Sequence, residues 1–286
     1  MRQLKGVEDV TQQNTTTFSN VGNMLQEKLK ETDEICPVHK INLISAFGRE
    51  PICMECSKED VAKRDREIVD KAMKEHLKRK TYHWLERYSV FLDVTLKKAG
   101  FDSYRTDCEE TARNKELALK IAREYFAGAI YNTIFTGKPG TGKSHLSMSM
   151  LKVVNEHSDP YRKCLFVSID ELMRRIKDSF NNKDSRYTEQ RMIQLLTEAD
   201  LLVIDDLGAE VGAIDSDKRA SNFITKTLYA IVNGRQEKPT IITTNLNSQE
   251  LTKMYDSKLI SRMFRGAEGH VISFKDTKDK RINVEF

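Results

Sequence analysis

"GKPGTGKS", residues 137–144, decides how the rest of the chain is read. It fits the pattern G-x-x-x-x-G-K-[ST] in full. It follows the apolar run "NTIFTG" (132–137) and opens a helical stretch, "SHLSMSMLKVV" (144–154). Strand, glycine turn and helix in that order make a phosphate-binding loop. The glycines let successive N–H groups face one anion, and the helix N-terminus adds its positive end. The expected nucleotide contacts are Gly137, Lys138, Pro139, Gly140, Thr141, Gly142, Lys143, Ser144 and His145. Lys143 is expected to reach the β- and γ-phosphates of ATP, and the Ser144 hydroxyl to ligate magnesium.

Outward from the loop, helix-type sequence alternates with short apolar runs at 132–137, 163–168, 200–206, 240–245 and 270–274. That alternation predicts an α/β fold, a parallel five-stranded sheet between helices. "LLVIDDLG" (201–208) carries two acids to the C-terminal edge of its strand, where ligands bind in such sheets. Asp205 is the expected magnesium-side acid and Asp206 the water-polarising group. An Asp at the second position, in place of a longer Glu, points to slow or gated hydrolysis. "IITTN" (241–245) ends its strand on Asn245, expected to orient the attacking water, with Thr244 as a lesser candidate. In "SKLISRMFRGAEG" (257–269), Leu259, Ile260, Met263 and Phe264 predict a packed helix that projects Arg262 and Arg265. Such an arginine serves a neighbouring subunit's site or is a plain surface group.

The bulk numbers bound the rest. The chain has 286 residues, 31% charged and 39% hydrophobic, with a net charge of +4. This suits a mid-sized domain plus a small one, and permits nucleic-acid contact without arguing for it. No run approaches the ~20 apolar residues of a membrane span. The polar N-terminus lacks a signal-peptide core, so a cytoplasmic protein is expected. Five cysteines, an odd count in a reducing compartment, argue against a disulfide framework. Cys164, in an apolar run, is expected to be buried.

"CPVHKINLISAFGREPICMEC" (36–56) holds C-x-x-H, 13 residues, then C-x-x-C. This is ligand spacing for tetrahedral zinc, with Cys36, His39, Cys53 and Cys56 closing the sphere. Four protein ligands predict a structural rather than a catalytic ion. Pro37 and Pro51 help set the turns, and Phe47 is expected to cover the small core. The apolar loop suits a protein partner better than a base-reading finger. Residues 1–18 are expected to be poorly ordered, and 20–33 to form a short helix through Val21, Met24, Leu25 and Leu29. A charged helix is expected over 57–80, opened by Ser57. The expected organisation is a zinc-binding domain at 1–80, a linker at 81–106 and an ATPase domain at 107–286.

"FDSYRTD" (101–107), "TGKPGTGKSHL" (136–146), "LLVIDDLGAE" (201–210), "TTNL" (243–246) and "SRMFRG" (261–266) together resemble an AAA+ ATPase. More narrowly, they resemble the DnaC/DnaI-type replicative helicase loaders of bacteria and their phages. The resemblance implies an AAA+ core without a C-terminal lid, preceded by a DnaI-like zinc domain that grips the replicative hexameric DNA helicase. It also implies ATP-dependent assembly on single-stranded DNA in replication initiation, with self-association through the ATP site and Arg262 as a trans-acting arginine finger. The helix-type stretch "DELMRRIKDSF" (170–180) lies where this branch lines a single-stranded DNA path, so Arg174, Arg175 and Lys177 are phosphate contacts or a solvated basic face. A transposition helper of the IstB type shares the lid-less core and is the alternative; such helpers recruit a transposase and lack the metal-type segment.

Overall fold

The computed structural model describes residues 29–182, 184–211 and 220–281. The expected order of 1–18, and the helix over 20–28, lie outside these residues. The chain divides into two compact units, Met1–Lys74 and Glu75–Phe286.

In the first unit, β1 (Leu29–Ile35) pairs antiparallel with β2 (Asn42–Ala46), with Leu29 opposite Ala46 and Glu31 opposite Ile44. Residues 29–33 are therefore strand, not the expected end of a helix, because cross-strand pairing outweighs a weak helical pattern. The hairpin turn is tight: Cys36 N–H donates to Ile41 O and Lys40 N–H to Cys36 O, at 2.9 and 3.0 Å. Helix α1 spans Met54–Thr81 and buries no residue. It begins three residues before Ser57, whose N–H already donates to Cys53 O at 2.9 Å. The second Cys pair thus turns the chain into the helix, and Ser57 is not its cap.

In the second unit, five parallel strands lie in the order β4-β5-β6-β3-β7. They are β3 (Thr133–Gly137), β4 (Cys164–Ser168), β5 (Leu201–Leu207), β6 (Thr240–Thr244) and β7 (Val271–Phe274). All five expected runs are strands. Alternation divides their side chains between two cores. Phe135, Phe166, Leu201, Val203 and Ile241 face α3 (Glu109–Phe126) and α4 (Lys143–His157). Ile134, Leu165, Leu202, Ile204 and Ile242 face the other core. Its helices are α5 (Ile169–Asp178), α6 (Glu189–Glu198), α7 (Asn222–Asn233), α8 (Ser248–Met254) and α9 (Ser257–Met263). Cys164 is fully buried, as expected. Among the described residues no helix is long and apolar enough to cross a membrane.

Residues 81–106, expected as a linker, belong to this unit and hold the short helix α2 (Trp84–Tyr88). Val90 forms a parallel bridge with Val167, its N–H donating to Phe166 O at 2.9 Å while Ser168 N–H donates to Val90 O at 2.8 Å. Phe91 stacks on Phe166 with centroids 5.0 Å apart. The stretch covers the open edge of β4, a role too short-ranged to leave a strand pattern in sequence.

A second covering piece follows β7. The buried Glu110 carboxylate accepts from the N–H groups of Lys275 (2.7 Å) and Thr277 (2.8 Å), from Asp276 N–H, and from the Thr277 hydroxyl. Burial alone would raise its pKa, but these donors hold it below the usual value. Lys280 N–H then donates to Gly140 O at 3.0 Å, which lays the segment on the phosphate loop. Glu110→Ala strands these donors. It is expected to cost about 2–3 kcal/mol in denaturant unfolding and to speed hydrogen exchange at 275–277, with sheet protection retained.

Candidate nucleotide site and metal centre

The C-terminal ends of β3, β5 and β6 converge on a cavity of about 450 Å³. Its lining includes Pro139, Gly140, Gly142, Lys143, Ser144, His145, Asp205, Asp206, Thr243 and Asn245. Most of the expected nucleotide contacts thus share one wall. Thr141 instead buries its hydroxyl against Lys138 O at 3.0 Å, bracing the loop from behind, and the Lys138 side chain is exposed. Gly137 has φ 140°, and a Cβ there would lie 2.4 Å from Phe274 O, so no other residue fits between β3 and β7.

Lys143 Nζ donates to Gly137 O, Lys138 O and Asn245 Oδ1, each at 2.7 Å. Burial pushes its pKa down to about 8, opposed by the charges of Asp206 and Asp205. Asn245 Nδ2 donates to Asp206 Oδ1 at 2.6 Å. Asn245 therefore joins the lysine to the second acid. Asp206 has φ 60°, a left-handed backbone that turns its carboxylate toward the cavity. Burial raises its pKa, with Lys143 and Arg281 pulling the other way. Asp205 is 5% exposed, and burial lifts its pKa to about 6 against hydrogen bonds from Ser144 and Thr243. The Ser144 hydroxyl and Asp205 thus stand together as a hard-oxygen pair, the donor type magnesium takes.

Sequence reasoning missed Thr243. Its hydroxyl donates to Asp205 Oδ1 at 2.7 Å and accepts from Asp206 N–H at 2.9 Å. Thr244, the residue considered instead, points away and donates to Leu207 O at 2.7 Å. Strand alternation was the available signal, because Asn245 and Thr243 are two apart and share a side.

Arg262 is not in this cavity. It stacks over Tyr229 at 4.7 Å, donates to Asn233 Oδ1 at 3.1 Å, and lines a separate pocket of about 230 Å³ with Arg265, Arg235 and Asn132. On α5, Arg174 and Arg175 share the Glu171 carboxylate, at 2.8 and 2.6 Å, and Arg174 also meets Asp178 at 2.9 Å. Only Lys177 of that expected trio is without an acidic partner among the described residues, and it is exposed.

In the first unit, Cys36, His39, Cys53 and Cys56 bring their ligand atoms within 4.8 Å of one another. Cys36 and Cys56 Sγ are 3.7 Å apart, and His39 Nδ1 lies 3.9, 3.6 and 3.3 Å from Cys36, Cys53 and Cys56 Sγ. A tetrahedron with zinc's usual bond lengths has S–S edges of about 3.8 Å and S–N edges of about 3.6 Å. The donor set therefore fits that ion. His39 N–H and Cys56 N–H point at the Cys36 and Cys53 sulfurs, both at 3.5 Å. The first of these holds the Cys36 thiol down to about 6, favouring thiolate. Glu59 Oε1 sits 3.3 Å from His39 Nε2 and orients the ring, a partner also missed in sequence. Phe47, expected to cover this core, is 57% exposed.

Residues 57–270 match the family model described as IstB-like ATP binding protein. The chain belongs to this family. It is 32% identical over 188 residues to the replicative helicase loader DnaC of Escherichia coli K12, spanning 64% of this chain and 70% of that protein. Among solved structures, that of DnaI has a TM-score of 0.51 at 19% identity, covering 65% of this chain and 96% of that one. A putative primosome component from Streptococcus pyogenes serotype M3 also reaches 0.51, at 16% identity, covering 66% and 92%. At such identities these two speak for the fold alone, a parallel sheet between helices. The family match begins after Cys56, so the Cys/His group stands outside it.

IstB-like members of the AAA+ class are ATPases, and so is this chain. Thr243→Val keeps the shape of the side chain and removes the hydroxyl that spans both acids. It is expected to lower steady-state phosphate release about ten- to a hundred-fold and, by stranding two buried partners, to lower stability by about 1–3 kcal/mol in denaturant unfolding.

Proposed function

We propose that this chain is an ATP-dependent loader of the replicative DNA helicase. The observation that carries this reading is the pairing of a complete phosphate-loop site with a separate Cys/His unit, in a chain 32% identical over 188 residues to a DnaC loader. ATP binds at 137–145, with Lys143 released from its loop carbonyls to the β- and γ-phosphates. Ser144 and Asp205 would hold magnesium, which would supply charge neutralisation at the phosphates. Asp206 polarises the attacking water, and Asn245 fixes both that carboxylate and the lysine. The aspartate's short reach keeps hydrolysis slow, as suits a switch. Arg262, remote from its own loop, serves the ATP site of a second copy.

Zinc at Cys36, His39, Cys53 and Cys56 is structural; it stabilises a unit whose own apolar burial is small. Around it Ile35, Val38, Ile52 and Met54 are 42–71% exposed. Such a rim favours a protein partner over DNA, and the hexameric helicase is the partner proposed. Single-stranded DNA is met by the ATPase units, with α5 contributing Lys177 and the exposed side of Arg174. The protein acts in the cytoplasm, at replication initiation. The 81–106 stretch goes with the ATPase domain in this reading, and the helicase-binding domain ends within α1.

A transposition helper is the second reading, favoured by the family description itself. The partner discriminates. The full chain is expected to hold one zinc per molecule by metal analysis and to capture the cognate replicative helicase. Cys53→Ser is expected to lose both. Absence of zinc in chelator-free protein, or undiminished capture by Cys53→Ser, overturns the role of the metal unit. Capture of a transposase and not the helicase supports the helper. In nucleotide titrations Lys143→Ala is expected to abolish ATP binding. Arg262→Ala should bind normally, yet lose roughly 10³-fold in turnover at concentrations where the chain self-associates; unchanged turnover there excludes a trans role.

A further inference from the structure

"FDSYRTD" (101–107) lies against the phosphate loop, and one of its side chains is left unexplained by the site described so far. Tyr104 is 5% exposed, and its hydroxyl has no hydrogen-bond partner. The residue lines the nucleotide cavity. A Cβ added to Gly142 would lie 2.8 Å from the Tyr104 ring and 3.2 Å from its hydroxyl oxygen. The phenol therefore abuts the last glycine before Lys143.

The ring is held from several sides. His145 meets it edge-on with centroids 5.4 Å apart. Lys280 Nζ lies 4.2 Å from its centroid, and Lys280 N–H is bonded to Gly140 O at 3.0 Å. So the phosphate loop, its following helix and the segment after β7 all fix the ring's position. A buried hydroxyl with no partner is costly and rare, and such groups point to a ligand.

We propose that the Tyr104 hydroxyl is a ligand of the bound nucleotide, donating a hydrogen bond to a phosphate oxygen where the chain of phosphates passes Gly142. The choice of phosphate follows from position. The loop from Gly137 to Ser144 exists to surround phosphate oxygens with N–H groups, and the hydroxyl adjoins that loop one residue before Lys143. An anionic oxygen is also the acceptor that gains most from a neutral O–H donor in a buried place. Burial pushes the phenol's pKa far above its ordinary value, so the group stays protonated and donating at any physiological pH. The same geometry explains Gly142, since any side chain there would strike the ring.

This inference rests on the ATP-site reading and adds a residue to it. The contact lies on the part of the phosphate chain that ATP and ADP share, so it bears on the affinity for both. The variant is Tyr104→Phe, which keeps the ring and removes only the hydroxyl. Calorimetric titration with Mg-ATP and with Mg-ADP is expected to show both binding about ten-fold or more weaker. Without nucleotide, Tyr104→Phe should melt at or above the wild-type temperature, because the lost hydroxyl had no partner. Wild-type affinity for both nucleotides overturns the proposal. So does weaker binding that comes with a lowered melting temperature of the unliganded protein, since that is what a purely structural role produces. If the wild type itself fails to bind ATP, the ATP-site reading falls too. If the wild type binds, Lys143→Ala does not, and Tyr104→Phe matches the wild type, only the tyrosine assignment falls.

Discussion

Lys143 Nζ to Asn245, Asn245 to Asp206, Asp206 N–H to Thr243 and Thr243 to Asp205 form one hydrogen-bonded line across three strand ends, with steps of 2.6–2.9 Å. Each charged group in it is buried or half-buried and would be costly alone. Together they offset one another, the lysine against two acids, and the polar side chains fill the gaps. The line exists only because β3, β5 and β6 run parallel and end at the same level. Sheet topology is thus the precondition of the chemistry, and the two apolar cores that clamp the sheet are the precondition of the topology.

Two stretches outside the sheet complete the site. Residues 90–106 seal the edge of β4 and then bring Tyr104 to the loop. Residues 275–281 leave β7, are pinned by Glu110, and reach Gly140. Both use backbone groups and a few polar side chains rather than long apolar faces. Their placement fixes the walls of the cavity, so stability of these coverings and affinity for nucleotide are physically linked. The first unit solves a different problem. With few apolar residues to bury, it gathers three sulfurs and an imidazole within a few ångströms, and leaves its apolar side chains on the outside.

Legibility varied with the range of the forces involved. The phosphate loop, the double acid and the Cys/His spacing were plain, because each is a local pattern whose geometry follows from adjacent residues. The strands were plain because five apolar runs recur between helices. Thr243 and Thr244 are not distinguishable in the sequence, since a strand's two sides look alike until the neighbouring strand shows which one meets the acids. The start of helix α1 is hidden in the sequence, because Ser57 is a good cap in isolation while Cys53 is a better start once a metal-type turn is formed. The end of a helix expected at Leu29–Asp33 became strand, because its partner lies at Ile44–Ala46 across a turn.

By itself the sequence determined the fold class, the order of the strands along the chain, the phosphate loop and its two acids, and the four metal-type ligands. Only the tertiary structure decided that 81–106 is a wall and not a linker, that Arg262 stands away from its own loop, that Glu171 engages both arginines of α5, and that Tyr104 aims a free hydroxyl at the phosphate loop. The reason is distance along the chain. Patterns set by hydrogen bonds and side-chain periodicity repeat within a few residues and can be read there. Contacts between Tyr104 and Gly142, Glu110 and Thr277, or Val90 and Val167 join segments tens of residues or more apart, and nothing local records them.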